Sequence, residues 1–61
     1  MNPTIFLYTD WNLDRWAIQF RNDNGDIVVE LTGYPASTPS LIVSDAIRQS
    51  KPHARILARL V

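Results

Sequence analysis

No cysteine occurs among the 61 residues, so no disulfide can staple the chain. A single histidine, His53, cannot by itself form a structural zinc site, which takes four nitrogen or sulfur ligands. These absences matter because a chain of this size buries only about 60% of the surface its unfolded form exposes, and such chains usually lean on a disulfide, a metal or a partner. Self-association is the support left. Long apolar runs are also missing. The longest uninterrupted stretches, residues 5–8 and 41–43, fall far below the roughly 18 to 20 residues that span a bilayer, so no membrane crossing is expected. Met1, Asn2, Pro3 and Thr4 supply no basic segment ahead of Ile5, which argues against a secretory signal, and the lack of cysteine suits a reducing compartment; cytoplasmic is the expected location.

An excess of charge of either sign is absent too. Six basic side chains balance six acidic ones, whereas a general nucleic-acid binder carries clustered surplus Lys and Arg to displace counterions. The charges are nevertheless segregated. Residues 1–30 hold Asp10, Asp14, Asp23, Asp26 and Glu30 against Arg15 and Arg21, a balance of −3. Residues 31–61 hold Asp45 against Arg48, Lys51, Arg55 and Arg59, a balance of +3. Opposite halves can attract within one chain or between two.

With no repeat or low-complexity tract, residues 1–61 read as one domain, and its only proline-dense stretch, residues 35–39, suits a connection between elements. The sharpest local signal is Asn24-Gly25 between two alternating runs. A two-residue type I′ turn needs positive φ at both central positions, and Asn and Gly tolerate it best. With that turn Phe20 meets Val29, Ile18 meets Leu31 and Trp16 meets Gly33. Trp16, Ile18, Phe20, Ile27, Val29 and Leu31 then share one face, with Arg15, Ala17, Gln19, Arg21, Val28, Glu30 and Thr32 on the other. Residues 4–9, β-branched and aromatic, read as a first strand of undetermined orientation, followed by a polar turn. Thr38 as N-cap and Pro39 at the first helical position start a helix that Pro52 stops near Ser50 and Lys51. Its apolar stripe is Leu41, Ile42, Val43, Ala46 and Ile47, with Asp45, Arg48 and Gln49 toward water. Residues 53–61 carry both signals: Ala, Arg and Leu favour helix, yet His53, Arg55 and Arg59 fall on alternate positions as in a strand. Strand is adopted. The expected fold is α+β in the order β-β-β-α-β: a three-stranded antiparallel meander, one helix on one face and a C-terminal fourth strand.

From Ile5 to about Ser50 the chain resembles the small repeat unit of the uncharacterised YegP-like bacterial proteins, on Phe6, Trp16, Asn24, Gly25, Asp26 and Tyr34. That resemblance implies architecture, since its members bring no established activity. In outline the chain is also similar to the N-terminal half of ribonuclease H folds. Ile5-Phe6-Leu7-Tyr8-Thr9-Asp10 looks like their opening strand, and Leu31-Thr32-Gly33-Tyr34 like the end of their third. Those enzymes hold two Mg²⁺ ions with several carboxylates. Asp10 matches the first carboxylate, but the helix position for a Glu holds Ile42 or Val43, with Asp45 about a turn away, and residues 53–61 contain no acid. The resemblance therefore does not carry a two-metal activity.

Nothing else in the sequence carries catalysis. Asp10, Asp14, Asp23 and Asp26 lack the calcium-loop spacing and suit turns. There is no glycine-rich phosphate loop, no nucleophile elbow, and no Ser or Cys placed to pair with His53. No catalytic residue, metal ligand or cofactor is expected, and the chain reads as no enzyme. The candidate binding set is Trp11, Arg15, Arg21, Tyr34, Arg55 and Arg59, which combines aromatic planes with bidentate anion donors. Trp11 stands out because it sits in a polar turn, where an exposed indole serves as an interface anchor. Trp11 and the apolar residues Ile56-Leu57-Ala58 and Leu60-Val61 leave more apolar surface than one helix covers, so the chain is expected not to be a stable monomer. The function expected is a non-enzymatic interaction module that acts as a homo-oligomer, most simply a dimer, and binds another macromolecule such as a protein; a phage or mobile-element accessory protein would fit. The alternative is a small-ligand binder that holds a nucleotide with Arg and Trp at an oligomer interface.

Overall fold

The computed structural model of the chain describes residues 4–59. Three strands, a helix and a further strand follow in order: β1 (Thr4–Asp10), β2 (Arg15–Arg21), β3 (Ile27–Pro35), α1 (Ser40–Ser50) and β4 (Arg55–Arg59). This is the expected α+β arrangement. The four strands form one mixed sheet in the order β3-β2-β1-β4. β1 runs antiparallel to β2 and parallel to β4, which settles the orientation of the first strand. The segment 53–61 is thus strand at 55–59, while Leu60 and Val61, the end of the strand expected there, lie outside the described residues.

Alternation of burial along β1 assigns the faces. Ile5, Leu7 and Thr9 are buried, so Thr4, Phe6, Tyr8 and Asp10 point to the other side. Ile5 and Leu7 join Trp16, Ile18, Val43 and Ile47 in one core cluster, with Phe20, Tyr34, Ala54 and Ile56 packed against it. The core lies between α1 and one face of the sheet. Trp16 fixes the helix over it. Its indole Nε1–H donates to the Thr38 carbonyl at 2.8 Å, joining β2 to the segment that enters α1.

The β2–β3 hairpin departs from the sequence expectation. Phe20 pairs with Val28, Ile18 with Glu30 and Ala17 with Leu31, one residue away from the expected register. The connection is not a two-residue type I′ turn, since Gly25 has φ +83° but Asn24 does not take a positive φ. A three-residue loop spans positions 23–25 instead. It is closed by Gly25 N–H on the Asn22 carbonyl and Asn22 N–H on the Asp26 carbonyl, both at 3.0 Å. Three-residue hairpin loops with a left-handed residue at the third position are the next commonest class. The side chain of Asn22 selects it, because Oδ1 accepts from the backbone N–H of both Asn24 and Asp26 at 3.0 Å. A one-residue slip turns every β3 side chain over. Ile27, Val29 and Leu31 therefore face away from the helix, and Val28, Glu30 and Thr32 face toward it, the reverse of the expected assignment; the β2 assignment stands.

Two smaller corrections concern the helix. Pro39, and not Thr38, is the N-cap, and no side chain caps it; the Thr38 carbonyl is already engaged by Trp16. The face against the sheet is Val43, Ser44 and Ile47, leaving Leu41 73% and Ile42 53% exposed instead of within the apolar stripe. Residues 40, 43, 44 and 47 share one helix face at 3.6 residues per turn. Asp45, Arg48 and Gln49 face water as expected, Asp45 and Arg48 forming an exposed ion pair at 3.4 Å.

Candidate interaction surface

The sheet has one covered face and one open face. On the open face, the strand registers set Val29, Gln19, Phe6 and Leu57 in one row and Leu31, Ala17 and Tyr8 in the next. Ala17 is fully buried although no helix lies above it, because its larger register partners Tyr8 and Leu31 flank it. On the edge strand β3 the apolar row is bare: Ile27 is 57% exposed, Val29 56% and Leu31 52%. Leu57 on β4 is exposed as well. Between the bare row of β3 and the half-buried Phe6 and Tyr8 of β1, β2 contributes polar Gln19 and the buried Ala17; an exposed apolar row such as that of β3 marks an interaction surface more often than a solvated one.

Arginines and carboxylates meet at the two ends of this face. At one end Arg15 opens β2, paired with Asp10 of β1, and the β1–β2 turn carries Asp14. Asp10 Oδ1 accepts from the N–H groups of Asn12 and Leu13 at 3.0 and 3.2 Å, so this carboxylate organises the turn. Asp14 takes φ 54°, and its carbonyl accepts from Ala36 N–H at 3.0 Å, tying the turn to the β3–α1 connection. At the other end Arg21 closes β2 beside the hairpin loop that carries Asp23 and Asp26, and Arg55 opens β4 beside Thr4 on the far edge of the sheet. The Arg21 Nη1 donates to the Gly25 carbonyl at 2.8 Å.

The six candidate residues of the sequence are thereby divided. Arg15, Arg21 and Arg55 border the open face, and Arg59, of which only the backbone is described, pairs with Tyr8 in the same sheet. Trp11 is exposed in the β1–β2 turn, at the opposite end from Arg21 and Arg55. Tyr34 lies on the helix side, half-buried against the core, so it does not join the arginines. It is held there by an irregularity in the β2–β3 pairing between Arg15 and Ala17. At that point the Thr32 hydroxyl donates to the Trp16 carbonyl at 2.7 Å and accepts from Tyr34 N–H at 3.2 Å. Sequence reasoning missed the bare row Ile27, Val29 and Leu31 as part of the site. The signal that finds it is Asn22, an Asx-turn residue placed three before Gly25.

A second feature lies off the end of the sheet. A shallow groove of about 570 Å³ is lined by Phe20, Arg21, Lys51, Pro52 and His53, among others. Lys51 Nζ stands 5.1 Å from the centre of the Phe20 ring, a cation–π distance. Among the described residues no three His, Cys, Asp or Glu side chains gather as a metal site, and no helix is long and apolar enough to cross a membrane. No protein-family model, no curated protein and no solved structure matches the chain.

Proposed function

We propose that the protein is a non-enzymatic interaction module that acts as a homo-oligomer and binds another macromolecule, with the open face of the sheet as its working surface. The observation that carries this reading is the bare apolar row of Ile27, Val29 and Leu31, continued across the sheet by Tyr8, Phe6 and Leu57 and bordered by Arg15, Arg21 and Arg55. Interfaces favour that composition: aromatic and aliphatic side chains at the centre, arginine at the rim. A site for chemistry would need several convergent polar groups, whereas Gln19 and Tyr8 are the polar side chains at the centre of this face.

One observation favours a second reading, a small-ligand binder. The groove beside Phe20 brings Arg21, Lys51 and His53 around an aromatic ring, donors suited to an anionic planar ligand such as a nucleotide. Trp16 takes no part in it, because its ring is in the core and its indole N–H is committed to Thr38. A thermal-shift screen with nucleotides and divalent cations separates the two readings. A ligand held at ten times its Kd stabilises the folded state by about 1.4 kcal/mol, about 5 °C or more for a domain this small. The interaction-module reading predicts no such shift, and a nucleotide-induced shift lost in Lys51→Ala would replace it with the ligand reading.

A further inference from the structure

We propose that the occupant of the open sheet face is a second copy of this chain, packed sheet on sheet about a two-fold axis lying between the two sheets. The inference rests on the reading of that face as a docking surface and names what docks there. Area is the first argument. Four strands about 4.8 Å apart and some six residues long at about 3.4 Å per residue make a face of roughly 20 by 20 Å. Allowing for side-chain relief, each copy would bury about 600 Å², which places the pair at the lower bound of specific interfaces, near 1,200 Å² in total. A face of this size is therefore enough for a reversible dimer, with a dissociation constant on the order of micromolar.

Charge selects the copy over other occupants. Each end of the face carries both signs: Arg15 with Asp10 and Asp14 at one, Arg21 and Arg55 with Asp23 and Asp26 at the other. A two-fold axis along the strands brings like ends of the two sheets together and lays β2 of one copy over β1 of the other, which sets Arg15 of each copy near Asp10 of its mate. In that arrangement the face is its own electrostatic complement, and with a formal net charge of zero no net-charge repulsion opposes association. A nucleic-acid strand fits less well. Phe6 and Tyr8 offer stacking planes on the central strand β1, but a phosphate chain leaving the face in either strand direction would pass carboxylates. Addition of a strand to the β3 edge fits less well again. It would leave Val29 and Leu31 bare, and Glu30, Gly33 and Pro35 are residues that discourage edge pairing.

Sedimentation velocity across micromolar concentrations tests this. The wild-type chain is expected at twice the monomer mass with reversible dissociation on dilution. Val29→Lys with Leu31→Lys is expected to weaken dimerisation about 100-fold or more, as loss of central anchors does. Val29→Thr with Leu31→Thr repeats the test with β-branched residues that keep the strand, circular dichroism confirms the fold of both variants, and Leu41→Lys on the outer face of α1 should remain dimeric. A dimer that survives in the folded face variants shows that the copies meet elsewhere and overturns the inference. A monomeric wild-type chain overturns it as well. If that monomer binds a labelled oligouridylate and the Arg21→Glu, Arg55→Glu variant does not, the face remains a docking surface and only its occupant changes.

Discussion

The two faces of the sheet use similar side chains for opposite ends. Under the helix, Ile5, Leu7, Trp16 and Ile18 are almost wholly removed from water and meet Val43 and Ile47. Across the same strands, Tyr8, Val29, Leu31 and Leu57 lie on the face that no helix covers among the described residues. A single helix has one apolar stripe and covers one face of a sheet, so the second face stays open. Hydrophobicity alone does not tell covered from exposed residues here. What separates them is the strand register, and that register hangs on a three-residue loop.

Substitutions on the two sides should therefore differ sharply. The largest effect is expected beneath the helix. Trp16→Ala removes the largest core side chain and the hydrogen bond to Thr38, at a cost of about 3–5 kcal/mol, most of the stability of a domain this small. Urea denaturation should find the variant largely unfolded at room temperature. A variant as stable as wild type would mean that the covered face is not the core.

Next in size is Gly25→Val. Open space surrounds the position where its Cβ would stand, so no clash contributes, but φ +83° is a conformation that a β-branched residue resists. A loss of about 1–3 kcal/mol in chemical denaturation is expected. A smaller effect is predicted for Thr9→Val. The Thr9 hydroxyl is buried and has no hydrogen-bond partner among the described residues, so its removal should be neutral or stabilise by up to about 1 kcal/mol. A loss beyond that range in the same measurement would show that the hydroxyl has a partner. The smallest is Leu41→Glu on the outer face of α1, expected within about 0.5 kcal/mol of wild type.

The sequence made some of this division legible. The strands and the helix announce themselves through β-branched and aromatic runs, through the proline-rich connection before Ser40 and through Pro52 after the helix. The two sides of β2 were readable as well, since Trp16, Ile18 and Phe20 alternate with Arg15, Ala17, Gln19 and Arg21. On β3 the alternation Ile27, Val29, Leu31 is just as clear, yet it pointed to the wrong layer. Periodicity tells which residues share a face, not which face is covered, and a loop one residue longer exchanges the two. What decides the loop is the pair of hydrogen bonds to Asn22 Oδ1, a local competition that hydrophobic pattern does not express. The phase of α1 was hidden for a similar reason. Leu41 and Ile42 match Val43 in hydrophobicity, and the connection into α1 is anchored by contacts that hydrophobicity does not express, Thr38 by Trp16 and Ala36 by Asp14.

The alternation along β2 puts Arg15 and Arg21 on the face away from the helix, and the structure has them there with Arg55 at the borders of the open face, although Val28 does not accompany them. Trp11 and Tyr34 were grouped with them by chemistry alone. Chain distance hid that the first sits in a turn at the far end from Arg21 and that the second is turned to the helix side by the irregular pairing opposite Trp16.

Everything proposed for the open face depends on the β2–β3 register, and NMR measures that register directly. Cross-strand backbone NOEs should link Phe20 with Val28 and Ile18 with Glu30, as the three-residue loop requires. NOEs linking Phe20 with Val29 and Ile18 with Leu31 would place Ile27, Val29 and Leu31 beneath the helix, remove the bare row from the open face and contradict the account.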